Sequence, residues 1–244
     1  LQCNTTACNN TAVGACSLFA NTTGHDLVGV GYKALAANTC GNRNTGVGFC
    51  ALGANTTGVY STAVGNGALM AQTTGSRNVA VGSCSLYTNT TGTRNTAVGQ
   101  FSMALNTTGG CNTASGRYSL KCNTTGGYNT ASGAYALGLN STASCNTAFG
   151  ACALFANTTG DNNVAVGYNA GVAQTFATSI DLNDIFSTAR NPIDIEKMVS
   201  YTHRLLGLRQ LQVWVIEGKV AKPFRQLKIL QIPFDNSSFL YWNG

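Results

Sequence analysis

The sequence is poor in charged residues, in proline and above all in acidic side chains. Asp, Glu, Lys and Arg make up only 9% of the 244 residues, and the three prolines all lie beyond residue 190. Residues 1–171 contain two carboxylates, Asp26 and Asp161. Acid–base hydrolysis commonly needs paired carboxylates, and two isolated ones do not supply a pair. We therefore predict that the chain is not an enzyme.

Histidine is equally scarce. His25 and His203 are the two histidines, and the ten cysteines include no C-x-x-C pair. Zinc sites are built from such clusters, so the sequence predicts no metal site and no bound cofactor. His25 stands beside Asp26 as two members of a catalytic triad do, but no serine lies in a nucleophile-elbow motif.

Long apolar runs and concentrated charge are also absent. No stretch approaches the roughly 18 consecutive apolar residues of a membrane helix. The six basic and two acidic residues of 1–171 are spread over that region. The sequence therefore predicts neither a membrane span nor a stripe that binds nucleic acid.

Glycine, in contrast, recurs with a fixed period. A chain that never changes register is one in which each turn stacks on the turn before it. Seventeen residues are too few for a helical hairpin repeat, which needs about 33 or more. We therefore predict an all-β fold, a parallel β-solenoid of ten 17-residue coils over residues 1–177. The period is marked, without insertion or deletion, by Gly14, Gly31, Gly48, Gly65, Gly82, Gly99, Gly116, Gly133, Gly150 and Gly167.

Two apolar columns with the same period predict the core. The coil reads N-T-T-G-x-x-N-T-A-V-G-x-x-A-L-x-x in outline. We expect two short strands per coil, such as 95–98 and 102–105, in sheets that nearly touch across a column of Ala or Gly. At about 4.8 Å per coil, ten coils make a rod about 50 Å long. The predicted core ladder consists of Val13, Leu18, Val30, Leu35, Val47, Leu52, Val64, Leu69, Val81, Leu86, Val98, Leu120, Leu137, Leu154 and Val166.

Another column combines asparagine with a following Ser or Thr. One interpretation is a row of N-glycosylation sites along one edge of the rod. The other is a ladder in which each Asn amide bonds the amide one coil away, with Thr supplying turn chemistry. The candidate glycosylation sites are Asn4, Asn21, Asn55, Asn89, Asn106, Asn123, Asn140 and Asn157.

The ten cysteines all lie within the repeats. Cys16, Cys50, Cys84 and Cys152 share one column. Members of this column are at least two coils apart, about 9.6 Å, which exceeds the Cα separation of a disulfide. We therefore predict no disulfides along the column. The cysteines act either as small, weakly apolar residues or as cross-links between neighbouring chains in an oxidising exterior.

The repeat ends after Gly167, and residues 178–244 form a different segment. This segment contains both tryptophans and no cysteine. Its sequence predicts a helix over 193–206 and strands over 211–216 and 227–232, a small α+β unit. Because solenoid ends expose backbone and core, we predict that it caps the solenoid or joins chains through Trp214 and Ile229. The array begins in register at Leu1, which favours head-to-tail filaments.

The sequence N-V-A-V-G at 78–82 and 163–167 resembles the N-S-V-A-I-G core of the head repeats in YadA-like trimeric autotransporter adhesins. The wider N-T-A-x-G array is similar to those in phage and algal-virus tail-fibre shafts. The resemblance covers residues 1–171 and implies a left-handed β-roll. It also implies that Val79, Val81, Val164 and Val166 face the core. The chain differs from the adhesin heads in its 17-residue coil and in the Thr that begins most strands.

These observations predict a structural role outside the cell. The first hypothesis is a building block of an extracellular fibre or fibre-like adhesin. Its partners are then other copies of the chain, as a filament or trimer, and glycans of a host or other surface. A phage or virus tail-fibre shaft is the second hypothesis. An ice-binding solenoid is the third, because the Thr column that includes Thr22, Thr39 and Thr56 offers regularly spaced hydroxyls.

Overall fold

The computed structural model describes residues 3–172 and a short strand at 180–181. All of these residues belong to the first of two units into which the chain divides, Leu1–Thr202. The helix and strands predicted within 178–244, together with Trp214 and Ile229, lie outside the described residues.

The repeats form one parallel sheet, and its strands follow chain order without a crossover. Ten short strands recur with the same period as the glycines, which confirms the predicted parallel β-solenoid. They are β1 (Thr11–Val13), β2 (Val28–Val30), β3 (Thr45–Val47), β4 (Thr62–Val64), β5 (Val79–Val81), β6 (Thr96–Val98), β7 (Thr113–Ser115), β8 (Thr130–Ser132), β9 (Thr147–Phe149) and β10 (Val164–Val166).

An eleventh strand, β11 (Ile180–Asp181), continues the sheet with a changed spacing. Val164 pairs with Ile180 on one side and with Thr147 on the other, so the last step is one residue shorter than the step before it. All earlier steps keep the full period, as in the pairing of Thr96 with Thr113. The loss of the repeat motif after residue 167 thus coincides with a one-residue shortening of the coil.

The valine half of the predicted core ladder is wrong. Side chains alternate along a strand, so a three-residue strand directs its middle residue to one face and both ends to the other. The middle residue, such as Ala97, is fully buried, whereas Val98 is 41% exposed. Val79 and Val81, which the adhesin resemblance places inside, are likewise exposed. The valines that were predicted to be buried are outside or only half-buried: Val13, Val30, Val47, Val64, Val81, Val98 and Val166.

The leucine half of the ladder lies in the core as predicted. Each of these leucines is fully buried, and Met103 occupies the same column in the coil where Leu is missing. A Cβ on Gly29 would lie 3.3 Å from Leu18 Cγ, and one on Gly46 would lie 3.4 Å from Leu35 Cγ. The leucines therefore pack directly on the middle residues of the strands. The interior is so narrow that only Ala or Gly fits there.

The second strand predicted in each coil is absent from the described repeats. Residues 102–105 form turns instead, because Phe101 (φ 55°) and Met103 (φ 48°) adopt left-handed backbone conformations. The segment still bonds across coils, since Met103 N donates to Ser119 O at 2.9 Å. One sheet thus faces a wall of stacked turns, and the core leucines occupy left-handed positions that L-residues seldom adopt.

The periodic glycines form the corner after each strand. Gly99 has φ +125°, and a Cβ there would lie 2.7 Å from both C and O of Gly116 in the next coil. This conformation is open almost only to glycine. The regular spacing of glycine in the sequence therefore results from close contact between successive coils.

We predict that truncating the leucine column costs far more than truncating the valine column. Leu86→Ala removes a fully buried side chain and should lower the free energy of unfolding by about 2–5 kcal/mol. Val81→Ala removes an exposed one and should cost less than about 1 kcal/mol. Urea denaturation of the two variants measures both values. Equal losses would contradict the assignment of inward and outward columns.

A second prediction concerns the corner glycines. Gly99→Ala should lower the free energy of unfolding by about 1–3 kcal/mol through backbone strain, and the contact with Gly116 adds to this loss. Gly110→Ser is the control, because Gly110 has no left-handed φ and its column holds Ser76, Thr93 and Ser144 in other coils. Thermal unfolding of both proteins tests the difference. A stable Gly99→Ala protein would show that coils are not in close contact at this corner.

Candidate functional surfaces

The sequon asparagines form a buried ladder inside the solenoid. Asn106 Nδ2 donates to Asn89 Oδ1 at 2.7 Å and to Gly109 O at 3.0 Å. Asn123 repeats the pattern one coil later, with Nδ2 donating to Asn106 Oδ1 at 2.7 Å. From Asn21 to Asn157, every Asn side chain in this column is fully buried. Gln72 replaces Asn in one coil, and its side chain is buried as well. Of the two interpretations of this column, the structure supports the ladder.

A second ladder of asparagines runs beside the first. Asn78 Oδ1 accepts a hydrogen bond from Asn95 N at 2.9 Å, and Asn78 Nδ2 donates to Gly92 O at 2.8 Å. The same glycine carbonyl accepts from Asn89 Nδ2 at 3.1 Å. Each such carbonyl therefore joins the two ladders. Because buried amides are costly unless they are bonded, the two ladders require each other.

Glycosylation of the folded solenoid is incompatible with this arrangement at seven of the eight sequons in this column. A glycan is attached to Nδ2, and Nδ2 of Asn106 is a buried donor to two acceptors. Asn4 differs, because it is exposed and donates to Ala7 O at 3.1 Å. A row of sugars along the rod, with one on each coil, is therefore excluded for the folded state.

The threonine column that suggested ice binding uses its hydroxyl hydrogens internally. Thr22 Oγ1 donates to Thr39 O at 3.0 Å, and Thr107 Oγ1 donates to Thr124 O at 3.0 Å. In every coil from Thr5 to Thr124, the threonine Oγ1 of this column donates to the backbone O of the equivalent residue in the next coil. This column therefore stabilises the stack of coils and presents few free hydroxyl donors.

The outer side of the sheet is a continuous surface without a charged residue. Strand ends in register place two columns of short side chains side by side over the whole array, and Phe149 is the one aromatic residue among them. We call this surface the strand face. It consists of Thr11, Val28, Thr45, Thr62, Val79, Thr96, Thr113, Thr130, Thr147 and Val164 in one column, and of Val13, Val30, Val47, Val64, Val81, Val98, Ser115, Ser132, Phe149 and Val166 in the other.

The strand face is a large surface that combines apolar and hydroxyl side chains. Ten strands about 4.8 Å apart, each about 10 Å wide, give an area of about 500 Å². The largest apolar patch on a typical monomer is about 300–600 Å² and often has a function. Eleven of the twenty strand-face residues are Val or Phe and nine are Thr or Ser, so only part of this area is apolar. The sequence did not indicate this face, because the valines were assigned to the core. The alternation of side-chain direction along each three-residue strand was the signal that could have revealed this face.

A column of polar side chains follows one turn of the coil, and we call it the arginine column. It contains Asp26, Arg43, Tyr60, Arg77 and Arg94 in five successive coils, each with φ between 56° and 59°. Arg43 Nε lies 3.6 Å from Asp26 Oδ2, and its Nη1 bonds Tyr60 Oη. Tyr60 lies between two guanidinium groups, with Arg43 Cζ at 5.3 Å and Arg77 Cζ at 5.7 Å from its ring centroid.

The His25–Asp26 pair is part of the same surface. His25 Nδ1 lies 2.9 Å from Asp26 Oδ2, and Asn9 Nδ2 donates to Asp26 Oδ1 at 3.1 Å. These hydrogen bonds, with His25 the larger cause, hold the pKa of Asp26 below its usual value. The pair therefore belongs to the arginine column, in which Asp26 contacts Arg43.

Aromatic rings stack along another corner, and an apolar notch lies beside them. The Phe101 and Tyr118 centroids are 5.4 Å apart, and Arg117 Cζ lies 4.5 Å from the Tyr118 centroid. The two coils before Phe101 carry the smaller residues Gly67 and Cys84 at the same register position. The result is an apolar notch of about 370 Å³ beside Phe101, with Lys121 among its lining residues.

The ten cysteines, all within the described part of the chain, are free. Cys3, Cys8, Cys16, Cys40 and Cys145 are exposed, and the other five are partly accessible. Cys16 and its column-mates stand at left-handed positions on the outer side of the turns. Their thiols are thus placed on the surface of the rod, where contact with another chain is open to them.

Two other classes of site do not occur among the described residues. Residues 3–172 bring no three His, Cys, Asp or Glu side chains together as a metal site requires. In the same part of the chain, no helix has the length and hydropathy to cross a membrane.

No family model, no curated protein and no solved structure matches the chain. The fold itself therefore defines the class, which is a parallel β-solenoid built from tandem repeats.

We predict that folded protein from a glycosylating secretory host carries no glycan at the seven buried sequons. A sugar on Nδ2 would remove the bonds that tie each Asn to its neighbours. Mass mapping of the β-rich, soluble fraction tests this, with the exposed Asn4 as the internal control. A glycan on Asn106 in folded protein would contradict the buried ladder.

Proposed function

We propose that the chain is a structural building block of an extracellular fibre or fibre-like adhesin, and that its copies associate with one another. The observation that carries the proposal is the strand face, which runs without a charge along all ten coils. The rod itself supports the proposal as well. Its length of about 50 Å is reached by repetition alone.

Stiffness along the axis suits such a role. Every coil is bonded to the next by the backbone, as from Thr96 N to Asn112 O at 2.8 Å, and by the Asn ladder within the core. Bending the rod would stretch both sets of bonds. Within the described repeats, the spacing is constant from β1 to β10, so no coil stands out as a hinge.

The strand face is the place where we expect copies to meet. A partner that matches it must be flat, free of charge and repeated about every 4.8 Å along the axis, and another copy of the chain has these properties. A contact of about 500 Å² is smaller than the roughly 800 Å² that each partner buries in a standard complex. Association therefore becomes strong only when several contacts act together, as they do in a fibre.

Other elements of the proposal extend beyond the described residues. Segment 178–244, with Trp214 and Ile229, remains a proposed end-to-end contact between chains. An extracellular location is supported by the accessible cysteines, which an oxidising exterior can link between chains. Surface glycans remain the proposed ligands of an adhesive form.

A phage or virus tail-fibre shaft is an alternative that uses the same rod, and the genes beside this one would discriminate between the two. Ice binding is supported by a different observation than the sequence suggested. The strand face, rather than the column of Thr22, presents regularly spaced methyl and hydroxyl groups to water. Thermal hysteresis of the unmodified protein, lost when the strand face is altered, would favour this alternative.

We predict that lysines on the strand face prevent association. The variant Val64→Lys, Val81→Lys, Val98→Lys places three charges on the proposed contact. The matched control Thr57→Lys, Thr74→Lys, Thr91→Lys adds the same charge in the same coils at another exposed column. Sedimentation velocity and negative-stain images should show association by the unmodified chain and the control, and a weakening of at least about tenfold for the variant.

A third protein, which ends at residue 177, separates the strand face from the C-terminal segment. Loss of association only in this protein would assign the contact to residues 178–244. Association by the valine variant at the level of the control would contradict the role of the strand face. A monomeric unmodified chain at high concentration would contradict the fibre.

A further inference from the structure

The arginine column has a chemistry that the fibre does not require. Arg43, Arg77 and Arg94 share one register position and are all exposed. We propose that this column binds a sulfated polysaccharide along the axis of the solenoid. The inference goes beyond the proposed fibre, because binding at the column does not depend on association between chains.

The backbone fixes the direction of these side chains. Arg43, Arg77 and Arg94 have φ of 56°, 58° or 59°, so each leaves the coil in the same way. Left-handed positions are unfavourable for long side chains, and Asn tolerates them better. The same column holds Asn9 and Asn162 in other coils. Three arginines thus stand where a smaller residue is more stable.

The charges in the column are only partly compensated. Asp26 and Tyr60 engage Arg43, and Tyr60 also contacts Arg77. Arg94 has no acidic partner among the described residues. Arg77 and Arg94 lie in adjacent coils about 4.8 Å apart, and like charges placed side by side repel each other. An oxyanion that bridges the two guanidinium groups would remove this repulsion and accept paired hydrogen bonds from each.

The surroundings favour a sulfated sugar over a nucleic acid. Single-stranded nucleic acids bind where bases stack on free aromatic faces. Of the two rings at this register position, Tyr60 already lies between the guanidinium groups of Arg43 and Arg77, and Tyr128 lies two coils beyond Arg94. In the described coils, no row of free rings therefore runs beside the arginines. Thr93, which precedes Arg94 in the chain, carries a hydroxyl group suited to a bond with a sugar hydroxyl. A polymer of sugars that bears sulfate groups therefore fits the column best.

The test measures binding of the full chain to immobilised dextran sulfate, with unsulfated dextran as the reference surface. The variant Arg77→Asn, Arg94→Asn removes two charges and introduces a residue that the column already accepts. The matched control Arg117→Gln, Lys121→Gln removes two charges at the aromatic corner. Circular dichroism confirms that both proteins keep the β-structure of the unmodified chain.

We expect the arginine-column variant to bind dextran sulfate at least about tenfold more weakly, with a slope of log affinity against log salt reduced by about 2. The control should bind within about threefold of the unmodified chain. A variant with Arg77→Lys and Arg94→Lys should keep the salt slope and lose part of the affinity, because Lys lacks the bidentate fork.

Three results would overturn the proposal. Equal losses in the variant and the control would show that net charge alone attracts the polymer. Failure of the unmodified chain to bind dextran sulfate would show that the column is a solvated surface. Tighter binding of single-stranded DNA than of dextran sulfate, weakened by the same two substitutions, would assign the column to nucleic acid. The sedimentation experiment on the strand face is independent of all three, so either proposal can fail alone.

Discussion

The hydrogen bonds between successive coils are the constraint on which the rest of the structure depends. Amides of one coil bond in both directions, since Thr96 N donates to Asn112 O in the next coil and Gly99 N donates to Val81 O in the preceding one. A coil of a different length would break one set or the other. The repeats are therefore held to a single coil length, and each position meets only its own equivalents above and below.

Because equivalent positions of successive coils contact each other, a substitution at one position is compensated by a substitution at another. The second ladder lacks Asn at Leu27 and at Ser61, and the short side chain of Ser61 leaves space in the core. Gln72, which replaces an Asn of the first ladder, fills it: Gln72 Nε2 donates to Ser61 Oγ at 3.2 Å and to Asn55 Oδ1 at 3.1 Å. Gln72 Oε1 accepts from Asn78 Nδ2 at 2.9 Å. Two departures from the repeat thus restore one network.

The period of the sequence predicts the solenoid and the leucine column, because both follow from stacking alone. The direction of the valines was mispredicted because their periodic apolar column was assigned to the core, and the adhesin resemblance implied the same direction for Val79 and Val81. Alternation about the buried Ala97 indicates the opposite direction. The turns around Met103 were not predictable, because an apolar segment gives no sign that its Leu or Met residue adopts a left-handed backbone conformation. The arginine column was visible in principle. Arg43, Arg77 and Arg94 are separated by whole multiples of the repeat, but they were treated as scattered charge.

The equivalence of the coils has a consequence for how the gene can change. The upper side of one coil fits the lower side of almost any other, so duplication or loss of a whole repeat alters the reach of the protein and leaves its surfaces intact. Unequal recombination between repeats thereby changes the length of the solenoid by whole coils. Ser61 and Gln72 belong to neighbouring repeats, and a crossover between them would separate the pair. Recombination breakpoints should therefore be rare at that one junction and frequent elsewhere in the array.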